Sequence, residues 1–281
     1  MTAHPPVPTA PAVRPIQGTT RLYAVLGDPV AQVQAPALMN PVLAELGIDA
    51  VVVPVHARPQ DLEQVVRGLQ RVQNLDGMFV TVPHKNAVAR LADRRGTGVD
   101  VVGSANVLRR EADGSWLAEN FDGSGFVDGL TGAGHEPKGA RAVLVGTGGA
   151  GSAVAAALLT AGVAHLSLYD TDPARLTALA DRLTAHWPGR VHVLDGPDPA
   201  GADLAVNATP LGLRADDPLP FPLERLARDC VVADIVMKPR ETRLLREAAA
   251  RGHRIHHGIH MLEAQLDSYR AFFALRPNSS R

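Results

Sequence analysis

The sequence predicts an α/β protein of two domains, each built on parallel strands joined by helices. Three observations predict it. Short apolar runs rich in β-branched residues alternate with amphipathic helical stretches, a pattern that packs as strands with crossover helices. The chain has 281 residues, room for about two domains at ~100–200 residues each. One apolar run near the middle leads directly into the glycine cluster Gly146-Thr147-Gly148-Gly149-Ala150-Gly151.

The elements of the first half follow in order. Leu22 to Leu26 reads as a strand, closed by Gly27-Asp28-Pro29. Pro36 to Leu46 places Leu38, Met39, Val42, Leu43 and Leu46 at helical spacing, and Gly47 stops it. Ala50 to Val55 is a second strand. Pro59 to Gln73 is an amphipathic helix with Leu62, Val65, Val66 and Leu69 on one face. Gly77 to Val82 is a buried strand running into Pro83. This block has no glycine fingerprint, so it forms a separate α/β domain with a mixed, mainly parallel sheet. Glycine and polar residues concentrate from Gly125 to Lys138, which places the domain boundary there.

In the second half, Arg141 to Val145 is a strand, and the alanine-rich helix Ser152 to Ala161 follows the glycines. Ala164 to Tyr169 is the next strand, ending at Asp170. Strand, G-x-G-x-x-G, helix, strand and an acid about 20 residues on is the fingerprint of a Rossmann dinucleotide-binding domain. Gly146 permits the tight turn, Gly148 lets the backbone approach a pyrophosphate, and Gly151 lets helix and strand pack closely. Gly149 and Ala150 complete the loop, and the helix N-terminus presents N–H groups to phosphates. Pro173 to His186 is helical and Arg190 to Leu194 a strand. Asp203 to Asn207 and Cys230 to Ile235 are strands, Glu241 to Arg251 is a helix, and Met261 to Phe273 is the last helix. The expected division is a substrate domain at 20–126, joined by the C-terminal helix 261–276, and a cofactor domain at 127–260. Met1 to Thr19, rich in Pro, Ala and Thr, and Pro277 to Arg281 read as disordered ends.

Composition excludes several classes. The formal net charge is −1 with no basic stripe, so nucleic acid is a poor partner. No apolar run approaches the ~20 residues of a membrane helix. A single cysteine, Cys230, permits no internal disulfide and reads as a small buried residue. With no secretory signal pattern, a cytoplasmic setting is expected, for a monomer or homodimer acting on a small molecule.

Polar residues gather at predicted strand ends of the first half: Thr81-Val82-Pro83-His84-Lys85, Ser104-Ala105-Asn106 and Asn120-Phe121-Asp122-Gly123. The ends of parallel strands are where α/β sheets place ligands. Each segment alone has a bland reading, as a solvated lysine or a turn. Together with Asn207-Ala208-Thr209-Pro210-Leu211-Gly212, Met261-Leu262-Glu263-Ala264-Gln265 and Gly27-Asp28-Pro29-Val30, in this order around the glycine fingerprint, they resemble the motifs of the shikimate and quinate dehydrogenase family. The resemblance spans about Tyr23 to Phe273.

That resemblance implies reversible hydride transfer between a cyclic secondary alcohol and a nicotinamide cofactor, without a metal. It places Lys85 and Asp122 as the catalytic pair, with the lysine taking the hydroxyl proton and the carboxylate orienting it. Asn106 and Gln265 would hold ring hydroxyls, Thr81 would be another substrate contact, and Asn207 and Thr209 would border the cofactor. The chain also departs from the family. Val33 and Ala35 stand where two serines bind the substrate carboxylate, Met237 replaces a tyrosine, and Phe79, Phe121 and Val107 replace smaller polar residues. Losing two hydrogen bonds of ~1.5–3 kcal/mol each to a charged group weakens shikimate binding at least ~100-fold. The expected substrate therefore lacks that carboxylate contact, unless Gln32 or Gln34 replaces the serines and keeps shikimate or quinate. A dinucleotide sensor without turnover is the alternative of another class, although it would need no Lys85–Asp122 pair.

At the cofactor, Asp170-Thr171-Asp172 replaces the family's Asn-Arg-Thr. A carboxylate there accepts from ribose hydroxyls and repels a 2′-phosphate, so NAD is expected ahead of NADP. Arg175 is the nearest cation and reaches that site only by folding back. His253, His256, His257 and His260 form a group, but Gly258 interrupts the pair with helical spacing and no further ligand is evident, so no metal is expected.

Overall fold

The computed structural model describes residues 15–277. The expected disordered ends lie mostly outside the described residues. Within the first of them, Thr19 is tied down, its hydroxyl donating to Asp49 at 2.8 Å.

The first half contains β1 (Arg21–Gly27), α1 (Ala35–Glu45), β2 (Ala50–His56), a 3-10 turn (Pro59–Asp61) leading into α2 (Leu62–Leu69), and β3 (Leu75–Val80). Then come α3 (Lys85–Ala89), β4 (Arg94–Arg95), α4 (Thr97–Val102), β5 (Val107–Arg110), β6 (Trp116–Glu119) and α5 (Asp122–Gly132). The sheet order is β2-β1-β3-β5-β6-β4. β1 pairs parallel with β2 and β3, and β5 pairs antiparallel with β3 and β6. The sheet is thus mixed, as the sequence predicts.

The second half contains β7 (Arg141–Val145), α6 (Gly149–Thr160), β8 (His165–Tyr169), α7 (Pro173–His186), β9 (Val191–Val193), β10 (Leu204–Asn207), β11 (Val231–Asp234), α8 (Arg243–Ala250) and β12 (Arg254–His256). Its sheet order is β12-β11-β10-β7-β8-β9, all parallel. This is the doubly wound dinucleotide-binding topology, with its switch point between β7 and β10. α7 begins where the sequence says it should, with Pro173 in its first turn and the Asp172 carboxylate accepting from Arg175 N at 3.1 Å.

Two sequence expectations change here. The glycine-rich stretch Gly125 to Lys138 is not a loop at its start, because α5 runs through position 126 to Gly132. Its glycines are packing residues. A Cβ at Gly123 would lie 2.3 Å from Ala153 O, at Gly125 2.5 Å from Met261 O, and at Gly129 2.9 Å from His260 O. α5 is therefore wedged between α6 and α9 (Ile259–Ala264). The last helix is also not continuous: α9 ends before Gln265, and α10 (Leu266–Phe272) follows.

α10 returns the chain to the first sheet. Phe273 packs edge-on to Tyr23 and tilted against Phe79, with ring centres 5.0 and 5.1 Å apart. The second sheet's core holds Leu144, Val154, Leu158, Leu166, Leu168 and Val206. Cys230 is buried in the layer on its other face, and burial pushes its thiol up to about 11, as suits an inert apolar residue. Among the described residues no helix is long and apolar enough to cross a membrane.

Candidate active site

Two loops at strand ends and one helix start bring the polar residues together. The turn after β3 carries Thr81 to Lys85, and the buried His84 ring fixes it by pairing Nε2 with Ala57 O at 2.7 Å. Lys85 therefore enters the interior as the first residue of α3. Asn106 immediately precedes β5, and Asp122 opens α5, where the helix dipole favours its negative charge.

Lys85 Nζ donates to Asp122 Oδ2 at 2.5 Å, and both side chains are nearly sealed from solvent. The other carboxylate oxygen, Oδ1, accepts from Asn106 Nδ2 at 3.0 Å. Asn106 Oδ1 accepts from Phe121 N at 3.0 Å, so the amide cannot turn without losing a backbone bond. Gln265 joins through its Oε1, 3.0 Å from Asn106 Nδ2. Breaking a buried charged pair of this kind typically costs ~3–5 kcal/mol.

Tyr269 is the residue sequence reasoning missed. Its hydroxyl donates to Gln265 Oε1 and lies 3.3 Å from Asn106 Nδ2. Burial, and then the charge of Asp122, hold its phenol well above its ordinary pKa, so it stays a neutral donor. The signal available was its position four residues after Gln265, which puts two side chains on one helix face. The predicted helix did extend over both, but nothing marked that face as the inner one.

The other expected contacts divide. Thr81 is half-buried, with its methyl against Gly27. Val33, Ala35, Phe121 and Met237 pack on one apolar cluster with Phe79, Val107 and Tyr269. The Gln32 and Gln34 amides each spend one N–H on the local backbone. They donate to Pro29 O at 2.7 Å and Gln32 O at 2.8 Å.

The glycine loop lies directly behind the lysine. A Cβ at Gly149 would sit 2.6 Å from Lys85 Cβ, and Ser104 Oγ donates to Gly149 O at 2.7 Å. Gly146 has φ +103°, and a Cβ there would meet the Ala208 carbonyl carbon at 2.7 Å. Gly148 faces open space and, as N-cap of α6, has no side chain to occupy the first N–H groups. Ala150 sits in the same first turn. The residues therefore fit a dinucleotide pyrophosphate. Asn207 and Thr209 shape the neighbouring loop. Asn207 Nδ2 donates to Leu211 O at 2.9 Å and Asp234 Oδ1 at 3.0 Å, while Thr209 Oγ1 donates to Asn207 Oδ1 at 2.6 Å. Their side chains hold this loop.

The sequence assigns Asp170 to the adenosine ribose, but the structure turns it onto the glycine loop. Its carboxylate accepts from Thr147 N at 2.6 Å, Thr147 Oγ1 at 2.8 Å and Asp172 N at 2.9 Å. Arg175 folds back and adds its guanidinium at 2.7 Å. Burial alone would raise this acid, yet the Arg175 and Thr147 bonds outweigh it and bring it down to about 2. Both oxygens are committed, and the charge the sequence analysis relied on is neutralised by a half-exposed arginine.

Among the described residues no three His, Cys, Asp or Glu side chains are arranged to hold an ion. His256 is buried, and neither ring nitrogen has a hydrogen-bond partner among the described residues. Burial, then repulsion from His260, His135 and His257, pushes it down to about 4 from 6.5. The native state thus refuses a proton that the unfolded chain accepts, so this contribution is intact above pH 6.5 and is lost as pH falls toward 4. At ~1.36 kcal/mol per unit the loss is at most about 3.5 kcal/mol. His256→Phe should flatten that part of the stability–pH curve in urea unfolding. An unchanged slope would locate the acid sensitivity elsewhere.

A doubly wound cofactor domain, joined to a second α/β domain that seals a lysine–carboxylate pair against its glycine loop, defines an NAD(P)-dependent oxidoreductase. The first domain matches the family model for the shikimate dehydrogenase substrate binding domain over residues 25–108. The chain is 44% identical over 242 residues to a shikimate dehydrogenase (NADP(+)) of Rubrobacter xylanophilus, covering 84% of each chain. It belongs to the shikimate dehydrogenase family. Among solved structures, it resembles the shikimate 5-dehydrogenase of Thermus thermophilus in complex with NADP(H) and shikimate, with TM-score 0.80, 30% identity, and 92% and 95% of the two chains covered. It likewise resembles the quinate dehydrogenase of Corynebacterium glutamicum in complex with NAD, with TM-score 0.81, 32% identity, and 93% and 96% covered.

Proposed function

We propose that this protein interconverts a cyclic secondary alcohol and its ketone with NADP, on a substrate that makes no carboxylate contact at positions 33 and 35. In this reading residues 20–126 with 261–276 hold the substrate and 127–260 the cofactor. The observation that carries it is the buried Lys85–Asp122 pair at 2.5 Å beside the glycine loop. The nicotinamide ring, when bound, supplies the hydride acceptor. Lys85 Nζ takes the hydroxyl proton and returns it in the reverse direction. Asp122 holds the amine in place, and Asn106 holds Asp122. Thr81 and Gln265 line the substrate side. A sensor without turnover has no use for a sealed proton-transfer pair.

NADP replaces the NAD preference read from the sequence. Asp170 spends both oxygens on Thr147, Asp172 and Arg175, so it presents little unpaired charge to a 2′-phosphate. The half-exposed Arg175 beside it supplies a candidate cation for that phosphate. The Rubrobacter relative is named an NADP(+) enzyme.

The carboxylate end supports an altered substrate. Val33, Ala35, Phe121 and Met237 present an apolar wall, and a carboxylate left unpaired there costs more than the lost contacts alone. The 44% identity to a named shikimate dehydrogenase supports the second reading, shikimate itself with a different clamp. Steady-state assays with shikimate and with cyclohexenol, each with NADP and NAD, decide between them. The expected result is kcat/KM for shikimate below ~10⁴ M⁻¹s⁻¹, with cyclohexenol turned over better and NADP the better cofactor. Shikimate at or above that value would make the protein an ordinary shikimate dehydrogenase. Equal use of both cofactors, unmoved by Arg175→Ala, would remove Arg175 from the cofactor site.

A further inference from the structure

We infer that Asp234 is a positioning residue. Its carboxylate ties the loop beside the glycine turn to the loop that carries Met237, so that the cofactor side and the substrate wall are set together. This deepens the oxidoreductase reading and rests on it.

Asp234 closes β11 and is 0% exposed. Its Oδ1 accepts from Asn207 Nδ2 and from Val236 N, each at 3.0 Å, and its Oδ2 accepts from Thr242 Oγ1 at 2.6 Å. One branch leads to the cofactor. Asn207 ends the neighbouring strand β10, and the same Nδ2 holds Leu211 O at 2.9 Å. The loop so fixed, 208–212, rests on the glycine turn, where a Cβ on Gly146 would meet the Ala208 carbonyl carbon at 2.7 Å. The other branch leads to the substrate wall. Val236 lies at the start of the loop 235–241 and Thr242 just past its end, so one carboxylate pins both ends. Met237, between them, packs on the apolar cluster of Phe79, Val107 and Tyr269 and also on the core of the second sheet. Both loops leave the C-terminal ends of parallel strands, where α/β sheets place ligands.

The residue type suits this task better than it suits stability. All three hydrogen-bond partners are neutral, and a buried ion without a cation is costly. Burial pushes the acid up to about 6, against the hydrogen bonds of Thr242, Val236 and Asn207. An asparagine would avoid the charge and still accept from Asn207 and Val236 through one oxygen. It would turn an N–H toward the Thr242 hydroxyl, whose own hydrogen would then lose its acceptor. The second carboxylate oxygen thus closes the Met237 loop onto the strand end that also holds Asn207.

The test measures NADPH affinity by fluorescence titration, and KM and kcat for whichever of shikimate and cyclohexenol the wild type turns over better. A loosened loop occupies its binding arrangement only part of the time. That fraction weakens apparent affinity and leaves the bound geometry intact. Asp234→Ala, which cuts both branches, should raise the NADPH Kd and the alcohol KM at least ~10-fold each, the worth of one hydrogen bond to a charged group, with kcat less affected. Asp234→Asn cuts only the Thr242 branch. It should raise the alcohol KM at least ~5-fold and leave the NADPH Kd within ~2-fold, while the urea midpoint holds. Thr242→Val should match it, and Thr242→Ser, which keeps the hydroxyl, should behave as wild type. If Asp234→Ala does not fold, the Asn and Thr242 variants decide. An unchanged alcohol KM in Asp234→Asn, or a lowered midpoint with both constants unchanged, would overturn the assignment and mark the residue as structural only. Equal rises in both constants in that variant would overturn the two-branch arrangement. Absence of turnover of both alcohols by the wild type, with either cofactor, would overturn the oxidoreductase reading instead.

Discussion

Lys85→Ala is expected to lower kcat by ~10²–10⁴-fold, the usual worth of a positioned acid–base group, with little change in NADP affinity. The two effects separate because they live on different parts of the chain. Lys85 opens α3 of the first domain, while the proposed pyrophosphate site is the N-terminus of α6, which has no side-chain cap. The variant also leaves Asp122 buried with Asn106 as its remaining side-chain donor, so the fold should lose stability. Turnover must therefore be measured well below the variant's own melting temperature. Lys85→Met keeps the volume and should show the same loss. Near-normal turnover in both variants, on a substrate the wild type uses well, would remove Lys85 from the chemistry.

Gly151→Ala is expected to have the largest effect on the cofactor domain. An added Cβ would lie 2.0 Å from Gly146 O, a backbone atom that cannot rotate away, and 3.1 Å from Ala208 Cβ. Relief requires α6 to shift against β7, which displaces the N–H groups meant for the phosphates. Overpacking of this kind costs ~1–3 kcal/mol or more. Urea unfolding should show that loss, and titration should show NADP binding weakened at least ~10-fold, since ~1.4 kcal/mol of binding energy is enough. A variant with the wild-type midpoint and affinity would mean that the turn yields without moving the helix.

The cofactor domain was the most legible part. Its central strands β7, β10 and β11 are buried on both faces and read as apolar runs, and the turn after β7 carries glycines whose spacing has one explanation. The substrate domain was legible in its first three strands. Its antiparallel additions β5 and β6 were not, because four-residue strands such as Val107–Arg110 mix apolar and charged residues without a clear period. α5 was read as a linker because glycine disfavours helices. The close backbones of α6 and α9 override that preference, and a neighbour's position is not written in the local sequence.

The sequence by itself determined the family, the two-domain α/β plan and the glycine loop, and it displayed Lys85, Asp122, Asn106 and Gln265 as candidate site residues. Each is a matter of residue type and spacing, which a linear chain displays. Tertiary structure alone decided how their valences are spent. It placed Asp170 against Arg175 and Thr147, which spends much of the charge on which the argument for NAD rested. It also brought Tyr269 onto Asn106, across 163 positions of sequence. Hydrogen bonds are exclusive: a carboxylate that has found its partners inside the fold has less to offer a ligand. Which partner it finds depends on three-dimensional neighbours that no motif records.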